Sequence, residues 1–292
     1  MSSTPDPSSL VLRDDLTAPP GADLPVIEGA TVLVALPPGG GDEGPVGAAL
    51  VTGEPPVLRL HHLWVRPDLR RRGYSRAVLA AVRSRVRDRG ATVLSAQVRH
   101  DDPASTALAA GTRVLGELLR HEIPSTLKDT GAVSVRPLTE DELGPWREAQ
   151  VQAYAQDNLL RSGGDLERAL ARSRAEFAEV LPDGLRTRDT SIIVLSARDG
   201  AGREERVGHL WVAHHVEPGT SFVYDVEVAP EHRGRGFGRA AMVVADRLAR
   251  AAGDERVALH VFGGNATARR LYLSHGYAVR STTHDLLSPA DA

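Results

Sequence analysis

The chain has 292 residues, 41% of them apolar and 25% charged, enough for two ordinary domains with a real core. A formal net charge of −3 gives no basic excess to neutralise phosphates, so nucleic acid is not an expected partner. With no cysteine there is no disulfide, thiolate metal site or cysteine nucleophile, and no apolar run is long enough to predict a membrane span.

Residues 1–25 read as a disordered, proline-rich lead, although Leu10, Val11 and Leu12 have the make-up of a short strand. The lead lacks a basic start followed by an apolar core, so it is no signal peptide and the cytoplasm is the expected compartment. From residue 30 the pattern turns β-like, with strands expected at 31–36, 46–52 and 58–66 and a proline- and glycine-rich turn at 37–44. An arginine-rich turn at 70–76 leads into a helix whose Ala77, Leu79, Ala80, Val82 and Val86 share one face, closed by Gly90. A strand at 92–98 and a short helix at 103–110 follow, and 128–131 reads as a linker.

Beyond it, 133–137 is a strand ended by Pro137. Thr139 and Glu142 then form a capping box for a helix to about residue 155. A second helix is expected at 165–179, with its charged residues on a solvated face. Three strands at 191–197, 206–214 and 221–228 run into a turn containing Arg233, Gly234, Arg235, Gly236, Phe237, Gly238 and Arg239. A helix to 252, a strand at 256–261, a helix at 265–275 and a closing pair of strands at 277–287 complete the pattern.

The two halves repeat. Val46-Gly47 matches Val207-Gly208, the stretch 64–67 matches 227–230, and the turn 70–76 matches 233–239. A unit this long implies two copies of one domain rather than a solenoid. The division expected is a lead (1–25), a degenerate copy (26–130) and a complete copy (131–292).

The 233–239 turn has the make-up of an anion cradle. The first N–H groups of a helix lack internal partners, the helix dipole favours negative charge there, and the glycines let the backbone come close. Gly236-Phe237-Gly238-Arg239-Ala240-Ala241 formally satisfies a dinucleotide fingerprint. The acid that should end the next strand, to hold a ribose, is missing, and too few helices separate the strands for a doubly wound sheet. The run from Arg233 to Gly238, with Asn265, Ala268, Leu271, Tyr272, Gly276 and Tyr277, resembles the GCN5-related N-acetyltransferase (GNAT) family along the whole second half. The resemblance implies an α/β (α+β) fold of two tandem GNAT-like domains, each a mixed, mainly antiparallel sheet flanked by helices. It further implies acetyl-CoA as co-substrate. Its pantetheine would pair with the backbone near Val226 and Val228, and its pyrophosphate would lie on the N–H groups of residues 233–239. Asn265 would bond the pantetheine, and Tyr272 would face the thioester sulfur as general acid.

Asp225 and Glu227 lie two apart on an otherwise apolar strand, hence on one face. Buried acids are costly unless partnered or useful, which makes Glu227 the expected base, with Asp225 behind it. The strand histidines, His209, His214 and His215 among them, lack a metal-ligand spacing and read as structural, so no metal is expected. In the first half Trp64 stands where Glu227 would be, His62 where Asp225 would be, and Ser75 where Gly238 would be. That copy is expected to be non-catalytic, a packing partner. The expected activity is acetyl transfer to a primary amine on a small molecule. A non-catalytic acyl-CoA-binding or sensing module is the alternative, and monomer or homodimer is left undecided.

Overall fold

The computed structural model describes residues 10–15, 17–37, 44–127, 129–130, 133–162 and 165–290, and the statements below concern these. The turn expected at 37–44 and the linker expected at 128–131 lie largely outside them. Among the described residues no helix is long and apolar enough to cross a membrane.

Two compact units emerge, one built mainly from residues 10–115 and 281–290, the other from 116–160 and 165–280. The first contains β1 (Val11–Asp15), β2 (Thr31–Leu36), β3 (Gly47–Glu54), β4 (Val57–Val65), α1 (Tyr74–Asp88), β5 (Val93–Arg99) and α2 (Pro103–Ala109). The second contains most of β6 (Thr112–Glu122), then β7 (Ser134–Pro137), α3 (Glu140–Ser162), α4 (Leu166–Val180), β8 (Thr190–Arg198), β9 (Glu204–Glu217), β10 (Thr220–Val228), α5 (Phe237–Ala252), β11 (Arg256–Phe262) and α6 (Ala266–His275). The last strand, β12 (Ala278–Pro289), begins beside α6 and gives residues 281–289 to the first unit.

Strand order in the first unit is β1-β2-β3-β4-β5-β12, and in the second β7-β8-β9-β10-β11-β6. Within each, one pair alone is parallel, β4 with β5 and β10 with β11, joined by the crossover helices α1 and α5. The twin order is what the internal repeat required. The closing strands are exchanged: Gly116–Glu122 of β6 pairs with β11, while Ser281–Asp285 of β12 pairs with β5. The compact units are therefore not the contiguous stretches 26–130 and 131–292. The chain passes from the first unit to the second between residues 115 and 116 and returns between 280 and 281, so residues 129–130 lie within the second.

Two local expectations are corrected, and one strand that no expectation covered is added. The lead 1–25 is not wholly disordered, because β1 pairs with β2, and Ala22, Leu24 and Ile27 pack on Val32, Val34, Leu50 and Trp64. Where a pair of strands is expected at 277–287, one long strand, Ala278–Pro289, runs instead. Strand β6, invisible as a pattern because Gly116, Glu117 and Arg120 interrupt its apolar run, is a full sheet member with Leu119 wholly buried.

In the second unit the sheet has two apolar faces. Leu210, Val212, Val223 and Leu259 pack under α5 with Met242 and Tyr272. Ile192, Val194 and Trp211 pack under α3 with Trp146 and Leu138. Alternation along β9 therefore assigns His209 and Trp211 to the α3 side. Glu142 tightens the start of α3: its carboxylate accepts from the Thr139 N–H at 3.0 Å and holds Arg136 through two bonds of 2.7 Å. The Thr139 hydroxyl also turns to that carboxylate, so only half of a reciprocal capping box forms.

Candidate active site

Register explains how β10 presents its acids. Between Val223, opposite Val212, and Asp225, opposite Trp211, the strand carries one extra residue, Tyr224. This bulge re-phases the remainder of β10, so Asp225 stands opposite Trp211 and Glu227 opposite His209. Both carboxylates then lie on the α3 side. The close approach of the strands at this point depends on Gly208, where a Cβ would collide with the Glu227 carbonyl oxygen.

The same strand loses its other neighbour here. The parallel ladder to β11 ends at Val223 and Leu259, although β10 runs on to Val228 and β11 to Phe262. Among the described residues the β11-facing edge of Tyr224–Val228 is left without a ladder partner. A strand-like ligand fits such an edge, because its amides satisfy backbone groups that the sheet leaves open. Val226 and Val228 keep their side chains packed in the α5 core, so only their main chain is available at this notch.

At the end of β10 the chain makes a short turn, Pro230–His232, anchored by the buried His232. Gly234 (φ 76°) and Gly236 (φ 88°) then adopt left-handed conformations and aim the backbone into α5. The three arginines of the turn differ. Arg233 donates to the Val228 carbonyl at 3.0 Å, and Arg235 lies over the Phe237 ring at 5.1 Å. Arg239 is exposed on the first turn of α5. Phe237 itself is buried in the core, so its N–H is the part of it that can meet an anion. Gly238 packs against α6, where a Cβ would come within 3.1 Å of Leu271.

Asn265 caps α6, its side-chain oxygen accepting from the Ala268 N–H at 3.0 Å, which leaves its amide N–H₂ for a ligand. Tyr272 is 7% exposed; burial, and then the nearby Asp225 charge, push its hydroxyl up to about 12. At neutral pH it is a proton donor.

Asp225 and Glu227 meet a group that sequence reasoning set aside. His209 is 4% exposed and bridges them: Nε2 bonds the Asp225 carboxylate, and Nδ1 faces Glu227 Oε2 at 3.7 Å. Gln150 of α3 reaches the same Nε2 at 3.1 Å, and Trp146 packs edge-on at 6.0 Å. The missed signal was positional, since a buried histidine on the strand preceding the acid-bearing one is set beside it by a hairpin. A groove of about 560 Å³ opens here, lined by Glu227, His209, Gln150, Trp146, Arg206 and Asp141 among others.

The first unit repeats the scaffold without the acids. Its strand β4 bulges at His61, its β5 ladder stops at Leu60 and Ala96, and Gly73 (φ 88°) opens α1 as Gly236 opens α5. Arg70 donates to Val65 as Arg233 does to Val228, also at 3.0 Å. Trp64, in the place of Glu227, is buried under the 22–30 segment.

The sequence model described as the acetyltransferase (GNAT) family matches residues 29–112 and 162–277. A mycothiol acetyltransferase of Clavibacter sepedonicus is 30% identical over 258 residues, covering 84% of this chain and 76% of that protein. An uncharacterised N-acetyltransferase of Bacillus subtilis, YycN, is 29% identical over 149 residues, 50% of this chain and 92% of its own. The crystal structure of a GCN5-related N-acetyltransferase from Sphaerobacter thermophilus aligns with a TM-score of 0.53 over 93% of this chain and 84% of that one. At 17% identity that likeness speaks for the fold alone. A single family thus accounts for the notched sheet and glycine-rich turn in both units: the chain belongs to the acetyltransferase (GNAT) family, whose fold it carries in tandem.

Proposed function

We propose that the second unit transfers an acetyl group from acetyl-CoA to a primary amine on a small molecule. The observation that carries this reading is the notch beside Tyr224–Val228, with Glu227 on the α3 side and the glycine-rich turn at its end. Pantetheine would lie along the open edge, bonded by the main chain at Val226 and Val228 and by the Asn265 amide. The pyrophosphate would sit on the N–H groups between Arg233 and Arg239, where a helix start and three arginines favour an anion. The thioester supplies an acyl group activated for direct attack.

An amine attacks only when it has lost its extra proton. Glu227 is placed to take that proton, being half exposed to the groove through which an acceptor would enter. Asp225 stands behind it, held by His209. Tyr272, kept neutral by burial, gives its proton to the departing sulfur. The proposal confines chemistry to the second unit, because Trp64 fills the position of the base in the first.

Release of free thiol from acetyl-CoA across a panel of small amines tests the reading. Turnover is expected with at least one amine, and Glu227→Gln is expected to lower kcat by about 10² to 10⁴. Tight acetyl-CoA binding with no turnover of any amine would show a sensing module instead.

A further inference from the structure

Asp225 and Glu227 share a single basic partner, because no other basic side chain of the described residues forms an ion pair with either. His209 reaches both from inside the sheet, and its two ring nitrogens are not equivalent. Nε2 is within bonding distance of the Asp225 carboxylate, which only accepts, so Nε2 carries a proton. The Gln150 amide nitrogen stands 3.1 Å from the same Nε2, and a protonated Nε2 is compatible with that neighbour only if the amide presents its oxygen instead. Nδ1 lies 3.7 Å from Glu227 Oε2, beyond hydrogen-bond reach, so no proton is shared there at rest. The remaining neighbour, Trp146, offers only a ring edge. With Nε2 turned to Asp225, Nδ1 is the ring atom that faces Glu227.

We propose that His209 is a positioning residue that works through Glu227, receiving on Nδ1 the proton that Glu227 takes from the amine. This inference rests on Glu227 being the base. The amine N–H bond breaks as a Glu227 O–H bond forms; that O–H bond then breaks as an Nδ1–H bond forms, and Glu227 is again an anion. The imidazolium so produced is held through Nε2–H by Asp225, which keeps its negative charge throughout. The second carboxylate gains a role by this arrangement: it fixes the tautomer and balances the charge. Proton transfer from Glu227 requires the 3.7 Å gap to close, and a new O–H bond on Glu227 gives Nδ1 a donor to close on.

The first experiment is ¹⁵N NMR of the histidine rings in the free protein. The expected pattern for His209 is a protonated Nε2 and a bare Nδ1; a protonated Nδ1 with a bare Nε2 overturns the proposal. The second is the pH profile of kcat for His209→Gln. A ring that already carries a proton on both nitrogens cannot accept another. Loss of the ring is therefore expected to lower kcat about 10- to 100-fold and to move the acid limb to lower pH, with KM for acetyl-CoA unchanged. A fall in kcat with an unmoved limb marks a merely structural histidine and overturns the proposal, as does kcat within about twofold of wild type. Should the variant not fold, the tautomer measurement decides alone. Full activity in Glu227→Gln would remove the base itself, whereas an inactive Glu227→Gln beside a normal His209→Gln refutes only the role given to His209.

Discussion

Tyr272 combines two properties that rarely coincide, a polar tip near a carboxylate and a side chain packed in the core between α5 and the sheet. Replacing it by phenylalanine keeps the packing and removes one proton. Tyr272→Phe is expected to lose about 10² or more in kcat while its acetyl-CoA affinity, read by calorimetry, stays within about twofold. The raised hydroxyl also sets a stability signature. In the unfolded chain a tyrosine ionises near pH 10, in the fold Tyr272 does so at about 12, so the unfolded state alone gains from ionisation between them. Stability from this group is complete below pH 10 and falls as pH rises to 12, by roughly 3 kcal/mol. Tyr277, wholly buried with its hydroxyl unpartnered among the described residues, is also raised by burial and steepens the loss. Urea melts at pH 8, 10 and 11.5 check the sign, and Tyr272→Phe should flatten the curve. Glu227, Asp225 and Tyr272 were legible as candidates because acids on an apolar strand and a tyrosine in a family run are local patterns. His209 was not, since its meaning comes from the register of two strands, fixed by a bulge that no periodicity announces.

The loop that ends β10 and its twin that ends β4 are one element built twice. The position of Gly234 (φ 76°) is occupied in the first unit by Arg71, held at φ 59°, whereas Gly236 and Gly73 are glycine in both. The first site tolerates a side chain and the second has not been asked to. Gly236→Ala, with open space around its Cβ, is expected to cost only the left-handed backbone penalty, about 1–2 kcal/mol, and to weaken acetyl-CoA binding by disturbing the N–H groups of α5. Gly234→Arg is the milder change, and comparing the two melting temperatures tests the ranking. Gly208→Ala is different in kind. Its Cβ would overlap the Glu227 carbonyl, so β9 and β10 must separate, at a cost of about 1–3 kcal/mol or more. Thermal melts together with kcat should show both falling, because the displaced carbonyl belongs to the base. The elements themselves were largely readable, since α1, α5 and the three strands preceding each follow clean periods of apolar residues. The extra residue in β10 and the half-formed cap at Thr139 were not, being settled by side-chain competition rather than pattern.

Each unit closes its sheet with a strand that sequence proximity assigns to the other. Leu119 and His121 of β6 belong to the second unit, the histidine bonding the buried Asp246 at 2.8 Å, with His275 on the other carboxylate oxygen at 2.8 Å. Burial opposes the charge on Asp246, but the two histidine hydrogen bonds outweigh it and hold the carboxyl below its usual range. A fragment of residues 131–292 lacks Leu119 and His121 and is expected to aggregate or melt without cooperativity, whereas one beginning at residue 112 should retain a cooperative second unit; circular dichroism melts distinguish them. Twin strand orders followed from the internal repeat, but the exchange did not, because β6 and β12 are joined to their neighbours by hydrogen bonds that composition does not encode. The exchange has a consequence for how the protein is made. Domains ordinarily fold in the order in which the ribosome delivers them. Here the first ninety-nine residues emerge with β5 paired to β4 alone, and the partner for its other edge in β12 is not synthesised until residues 281–285. The second unit has all its strands by residue 280, so during translation the later-encoded unit is the first that can finish, and the earlier one waits with an open edge.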